Sequence, residues 1–400
     1  MMIRADDVRT VEADHILQVY KRLPVVLVNG QGSRLFDTNG REYLDLLSGI
    51  GVASLGHAHP GLAAAIADQA RVLLHTSNLF FHALQGQVAQ RLARLSGLTR
   101  AFFCNSGTEA VEACLKFARR YWHTQGDGAR TGIVAFEQSF HGRTFGSLSV
   151  TAEAAYRTPF EPLVPGVTFV PPDNAAAVRN AISSNTAAVI VEPIQGEGGV
   201  RPIPTATAAV LAEVCATTGT LLVADEVQCG LGRTGYPFYA AELGLSPDLM
   251  ALGKSLGAGV PVGAALLSER VAGTISFGDH GSTYGGNLLA CRAALVFLDA
   301  LEGGLLTRIT EAGKRLHRGL VALASTQDAI SEIRGAGLMW GLETDPVVAK
   351  RMVGAALERG LLINCTAGNV IRLLPPLTIS DIEIDEALDR LTRAFDDAAT

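Results

Sequence analysis

Through the middle of the chain, short apolar runs alternate with longer helical stretches, and this alternation limits the fold more than any other feature. Strands are expected at Ala101–Cys104, Ile133–Phe136, Ala187–Val191, Thr220–Ala224, Leu249–Leu252 and Val262–Leu267. Helices are expected at Leu62–Leu74, Gln85–Leu95, Thr108–Tyr121, Thr207–Thr217 and Asn287–Leu301. Strands separated by helices pair in parallel, because the crossover has to pass back over a sheet face before the next strand begins. The expected fold class is therefore α/β, with a mostly parallel sheet covered by helices. Ligands of such sheets bind beyond the carboxyl ends of the strands.

Both ends of the chain read differently. Extended segments are expected at Pro24–Val28 and Arg34–Asp37, with turns at Asn29-Gly30 and Asn39-Gly40. Beyond position 304, helices at Leu305–Leu323 and Asp345–Arg359 flank strands near Ile333-Arg334, Leu338–Leu342 and Val370–Leu373. The expected division is 1–55 and 304–400 as two parts of one smaller α+β domain, with 56–303 as the large domain.

Hydrophobic residues make up 48% of the 400 positions and charged residues 18%, so a large core can offset the entropy of ordering the chain. That excludes intrinsic disorder. A net charge of −6 with no basic stripe argues against a nucleic-acid partner. The segment Met1–Asp14 has no apolar core of a signal peptide, and the apolar run Ala258–Leu267 is too short for a membrane span. A cytoplasmic location without membrane contact is expected. The six cysteines show no paired spacing suited to zinc. His57 and His59 stand two apart with no third ligand nearby, so no metal is expected.

Three motif matches fail on inspection. Gly253-Lys254-Ser255 lacks the first glycine of a P-loop, since position 248 is Asp248. Gly230–Gly235 has the glycine spacing of a dinucleotide loop but runs into Tyr236-Pro237 where a helix has to start. Gly253–Gly257 fits the nucleophile elbow of a serine hydrolase around Ser255, with His317 as the downstream histidine, and defines a rival activity.

A different set of residues converges on one chemistry. Ser106 and Glu109 form a capping box after Phe102-Phe103, leaving the Gly107 and Thr108 N–H groups at the positive end of a helix, where a phosphate can sit. The strand Thr220–Ala224 runs into Asp225-Glu226-Val227-Gln228, which puts a carboxylate at the ligand crevice. Lys254 lies among Gly253, Gly257 and Gly259, where an accessible, partly desolvated amine can form a Schiff base. A phosphate seat, an acid for a ring nitrogen and a reactive lysine together fit pyridoxal phosphate.

The chain resembles the class III aminotransferases of fold type I, most closely their acetylornithine branch, through nearly its whole length. The resemblance rests on Leu55–Pro60, Asn105–Thr108, Phe140–Thr144, Glu192–Gly199, Asp225–Gln228, Lys254 and Gly281–Asn287. It implies a homodimer with the active site at the interface, where Thr283 of the partner subunit joins Gly107 and Thr108 on the cofactor phosphate. Phe140 and Val227 would flank the ring, Asp225 would pair with its nitrogen, Gln228 would bond its phenolic oxygen, and Glu226 would belong to the same cofactor set. Lys254 would hold the cofactor covalently and carry the proton. His141 is not expected to be the base, since Lys254 suffices.

On the substrate side, the resemblance makes Arg143 and Ser282 contacts for the α-carboxylate of N-acetylornithine. Arg372 becomes the clamp for 2-oxoglutarate and glutamate, and Glu197 pairs with Arg372 while the amine donor is bound. Glu192 faces the cofactor region or serves structure, and both readings stay open. Ser255, Ala258 and Leu288 depart from the usual pattern of the family. Ile50 stands where ornithine aminotransferases typically carry tyrosine, which argues against free ornithine. Succinylornithine, succinyl-diaminopimelate and 4-aminobutyrate enzymes remain alternatives, as does a relative that has lost its cofactor.

Overall fold

The computed structural model describes residues 4–399, so Met1–Ile3 and Thr400 of the two terminal segments lie outside the described residues. A seven-stranded sheet forms the centre, in the order Arg100–Cys104, Gly263–Leu267, Leu249–Leu252, Leu221–Asp225, Thr186–Val191, Gly132–Phe136, Val167–Val170. Gly263–Leu267 is antiparallel to both of its neighbours, and the other observed pairings are parallel. Every residue of Thr186–Val191 and Leu221–Asp225 is buried, as expected of strands covered on both faces.

Each expected central strand is present within a residue or so of its bounds. Val167–Val170 was not anticipated; it is a half-exposed edge strand followed by Pro171-Pro172, so it lacks the continuous apolar signature of its neighbours. The expected helices also form, among them Pro60–Val72, Gln85–Ser96, Gly107–Thr124, Thr205–Thr218 and Leu288–Ala300.

At the chain ends, Leu27–Gln31, Arg34–Asp37 and Glu42–Asp45 form an antiparallel meander whose last strand pairs in parallel with Leu361-Leu362. A second sheet runs Ile330–Ala336, Met339–Thr344, Val370–Leu373, Asn364–Thr366. The helix Asp381–Ala399, absent from the sequence reading, packs on Leu306–Ala324 and Pro346–Glu358. The expected turn at Asn29-Gly30 is wrong. Gln31 faces Arg34, so the chain reverses at Gly32-Ser33, and Gly32 takes φ +57°. Gly30 is instead a close-approach position inside the strand: a Cβ there would stand 2.7 Å from Cβ of His57.

Candidate active site

The carboxyl ends of the central strands open into a cavity of about 260 Å³. Its walls carry Gly107, Thr108, Phe140, Arg143, Glu197, Asp225, Val227, Gln228 and Lys254, together with His141, Gly142 and Glu192. These residues come from six separate stretches of sequence, and the parallel sheet collects them because strand ends and the loops after them share one edge.

One wall is the start of helix Gly107–Thr124. Ser106 caps it, its Oγ accepting from the Glu109 N–H at 3.3 Å, while Glu109 accepts from the Asn105 N–H at 2.7 Å. First-turn N–H groups have no acceptor within the helix, so Gly107 and Thr108 present donors at its positive end. No side chain fits at Gly107, where a Cβ would stand 2.5 Å from Cγ1 of Val227. Gly253 is tight as well, though less so, since its Cβ would stand 3.1 Å from the Gly107 backbone. Close approach of these glycine backbones brings the phosphate seat, Val227 and Lys254 together.

The loop bearing Phe140 is fastened to the same helix. Glu112 accepts from the Gly146 N–H at 2.7 Å and the Ser147 N–H at 3.1 Å, and it also accepts from the Thr144 hydroxyl. Thr108 Oγ1 lies 2.6 Å from Ser147 Oγ and accepts from the Arg143 N–H at 3.2 Å. Glu192 ties two loops together, accepting from the Phe140 N–H at 2.8 Å and the Gly196 N–H at 3.0 Å. Burial raises the pKa of Glu192; the charge of His141 opposes that shift and Asp225 adds to it.

Asp225 is buried at the strand end. His141 Nδ1 lies 2.7 Å from its Oδ2, and Oδ1 accepts from the Val227 N–H at 3.1 Å. The sequence reading missed this histidine's role: it orients the acid. Adjacency to Phe140 was the only hint. Lys254 has φ +33°, a left-handed backbone that few residues other than glycine adopt and one often kept at functional positions. Burial lowers the pKa of its amine, Glu197 and Asp225 oppose this, and Arg372 reinforces it.

Arg372 sits behind this wall with its side chain fully buried. Its Nη1 donates to Glu197 at 2.5 Å and to Gln228 Oε1 at 3.2 Å, and Nε donates to Asn364 Oδ1 at 3.3 Å. Nη2 is buried without an acceptor among the described residues. Burial works against ionisation of Glu197, but the charge and hydrogen bond of Arg372 prevail and lower its pKa.

Three expected site residues lie elsewhere. Glu226 follows Asp225 at the strand end, so the alternation of strand side chains turns it to the opposite side. Its carboxylate accepts from the Ala240 N–H at 2.6 Å and from Cys229 Sγ at 3.1 Å. Ser282 is outside the cavity of its own chain, accepting from Asn105 Nδ2 at 3.3 Å and from the Gly285 N–H at 3.0 Å. Thr283 is exposed beside it. Ser255 is buried and donates to the Gly51 carbonyl at 3.3 Å, while His317 stacks on Trp340. The hydrolase rival therefore has no triad. His57 and His59 serve structure: His57 Nε2 lies 2.7 Å from Asp45 Oδ2, and His59 Nδ1 accepts from the Leu62 N–H at 3.1 Å.

Burial pushes the Glu226 carboxyl up to about 7, against the lowering effect of its Ala240 and Cys229 hydrogen bonds. Between its ordinary value of 4.5 and about 7 the folded chain holds a proton that the unfolded chain releases, so this residue costs stability as pH rises through that window. The cost reaches about 3 kcal/mol above pH 7. We predict that Glu226→Gln flattens this part of the pH dependence and raises the melting temperature at pH 8 relative to pH 5. Parallel melting curves of variant and parent across that range would refute the assignment.

Fold and cavity together define an α/β enzyme of the pyridoxal-phosphate type: a helix start for phosphate, an acid for a ring nitrogen, flanking Phe140 and Val227, and a buried lysine. A class III aminotransferase model ("Aminotransferase class-III") matches residues 17–395. An acetylornithine aminotransferase of Methanocaldococcus jannaschii is 43% identical over 388 residues, covering 96% of each chain. Among solved structures, an ornithine aminotransferase from Toxoplasma gondii superposes with a TM-score of 0.95 at 34% identity, covering 99% of this chain and 96% of that one. An acetylornithine aminotransferase from Elizabethkingia anophelis gives 0.88 at 31% identity, covering 99% and 100%. The chain belongs to the class III aminotransferase family, which uses pyridoxal phosphate as its cofactor.

Proposed function

We propose that the protein moves the terminal amine of N2-acetyl-L-ornithine to 2-oxoglutarate, giving N-acetyl-L-glutamate 5-semialdehyde and L-glutamate. The observation that carries this reading is the Arg372–Glu197 pair beside Lys254, in which one guanidinium nitrogen is buried and uncommitted. A dicarboxylic keto acid needs a second cation, whereas the amine donor brings an aliphatic chain that a free cation would disfavour. A buried arginine that its own chain can neutralise serves both in turn.

The residues present suit the cofactor. Gly107 and Thr108 would hold its phosphate, Phe140 and Val227 would flank its ring, Asp225 would face the ring nitrogen and Gln228 the phenolic oxygen. Bound there, pyridoxal phosphate supplies a carbonyl for covalent capture of amines and an electron sink. Lys254, its amine pKa lowered by burial, would take a proton from the carbon bearing the donor amine and return it to the carbon on the far side of the amine nitrogen. Asp225, held by His141, keeps a positive charge opposite it. Glu197 covers Arg372 in the first half-reaction and swings off it in the second.

Arg143 stands on the cavity wall as the contact for the donor's α-carboxylate. The turn at Ile50 and Gly51 adjoins Lys254, since a Cβ at Gly51 would lie 4.0 Å from Lys254 Cδ. Ile50 leaves no hydroxyl there for a second amine, which favours an acylated donor over free ornithine. A homodimer suits the exposed apolar side chains of Leu79, Phe80, Phe81 and Phe277 and would carry the exposed Thr283 to the partner's phosphate seat.

The test is a spectral titration of the purified protein without keto acid. N-Acetylornithine alone is expected to bleach the visible cofactor band, 2-oxoglutarate to restore it, and ornithine or 4-aminobutyrate to act at least about ten-fold more weakly. A response to another amine in preference to N-acetylornithine would overturn the substrate reading while leaving the family intact.

A further inference from the structure

Arg143 is unusual among the charged groups of the cavity. Among the described residues its guanidinium has no carboxylate or carbonyl partner. It lies instead against aromatic rings, with Cζ 3.5 Å from the ring centroid of Tyr156 and 5.7 Å from that of Phe140. Stacking uses the face of the guanidinium and leaves its in-plane N–H groups free. Those are the groups a carboxylate engages bidentately.

Tyr156 is itself held in place. It lies on the short helix Ala154–Arg157, where Glu153 accepts from the Ala155 N–H at 3.1 Å. The neighbouring Arg157 donates to the Ala152 carbonyl at 3.3 Å and lies over the Phe169 ring at 4.5 Å. The phenol is 38% exposed and lines a larger groove that meets the cavity at Phe140 and Glu197. Its ring therefore stands where a donor enters.

We propose that Tyr156 is a positioning residue for the amine donor. It holds Arg143 by cation–π stacking with the hydrogen-bonding edge presented, so that the α-carboxylate meets an arginine whose freedom is already spent. An ion pair within the protein would position the arginine equally well but would compete with the substrate for its charge; an aromatic ring does not. This rests on the reading of Arg143 given above. Arg372 is held by Glu197, Gln228 and Asn364. Arg372 thus grips one carboxylate of the keto acid without help from Tyr156, and the other carboxylate falls to Arg143.

The experiment measures single-turnover half-reactions of the holoenzyme carrying Tyr156→Leu, Tyr156→Phe or Arg143→Ala. Substrates are N-acetylornithine, its decarboxylated analogue N-acetyl-1,4-diaminobutane, and 2-oxoglutarate. Tyr156→Leu is expected to lower kcat/KM for N-acetylornithine by about three- to ten-fold, mainly through KM, and Tyr156→Phe to restore most of it because the ring remains. Neither variant changes the decarboxylated donor, which brings no carboxylate to Arg143, and Tyr156→Leu lowers the 2-oxoglutarate half-reaction no more than it lowers that of N-acetylornithine. If Arg143→Ala impairs N-acetylornithine while Tyr156→Leu does not, the positioning role fails and the reading of Arg143 stands. If Arg143→Ala leaves N-acetylornithine unaffected, that reading fails and the proposal with it. Equal losses on N-acetylornithine and the decarboxylated donor with Tyr156→Leu would mean a structural role and overturn the proposal.

Discussion

Lys254→Ala is expected to lower turnover by about 10⁴-fold or more and to abolish the visible absorbance of the purified protein. Among the described residues Lys254 is the only lysine on the cavity wall, and the glycine packing of Gly253 against Gly107 sets its distance from the phosphate seat. Two other groups that can accept a proton line the cavity. Glu192 accepts from two backbone N–H groups, and His141 is bonded to Asp225 through Nδ1. Neither can replace an amine whose burial favours the neutral form. Single-turnover measurement with N-acetylornithine checks this. Residual transfer above about one-hundredth of the parent rate would place the proton carrier elsewhere.

Arg372→Lys is expected to lower kcat/KM for 2-oxoglutarate by about 10²- to 10³-fold and to change the N-acetylornithine half-reaction by less than about ten-fold. Lysine can still pair with Glu197, so the closed arrangement used by the amine donor survives. It lacks the planar fork, however, and it cannot at once hold Asn364 and Gln228 and grip a carboxylate. Arg372→Ala is the harsher change, because it leaves the Glu197 carboxylate without its buried counter-charge, at a stability cost of about 1–3 kcal/mol, below that of a fully buried pair since the Glu197 side chain is 36% exposed. Equal loss in both half-reactions of Arg372→Lys would show that this arginine shapes the cavity and does not select the keto acid.

Some of this was legible in the residues alone. Central strands such as Ala187–Val191 are continuous apolar runs because both faces are covered, and a one-dimensional pattern records that directly. The Ser106–Glu109 cap is equally local: Ser106 Oγ accepts from the Glu109 N–H as expected, while the Glu109 carboxylate reaches one residue further back, to the Asn105 N–H. Lys254, Asp225 and Gly107 could be singled out because each sits in a turn chemistry that sequence displays. Val167–Val170 was missed because an edge strand has no such signature, and Gly30 was misread because a glycine that admits a neighbouring side chain looks like a glycine that turns.

What sequence determined, then, was the alternation of elements, the local caps and the kinds of residue available for chemistry, all of which depend on neighbours a few positions away. The tertiary structure decided which of them face one cavity. Asp225 and Glu226 are adjacent in sequence, yet one meets His141 across the cleft and the other is buried against Ala240, because the pleat sends successive side chains to opposite sides. Arg143 finds Tyr156, and Arg372 finds Glu197, across loops whose separation in sequence says nothing of their distance in space. Those pairings follow from how the sheet and its glycines bring strand ends together, and only the folded chain contains them.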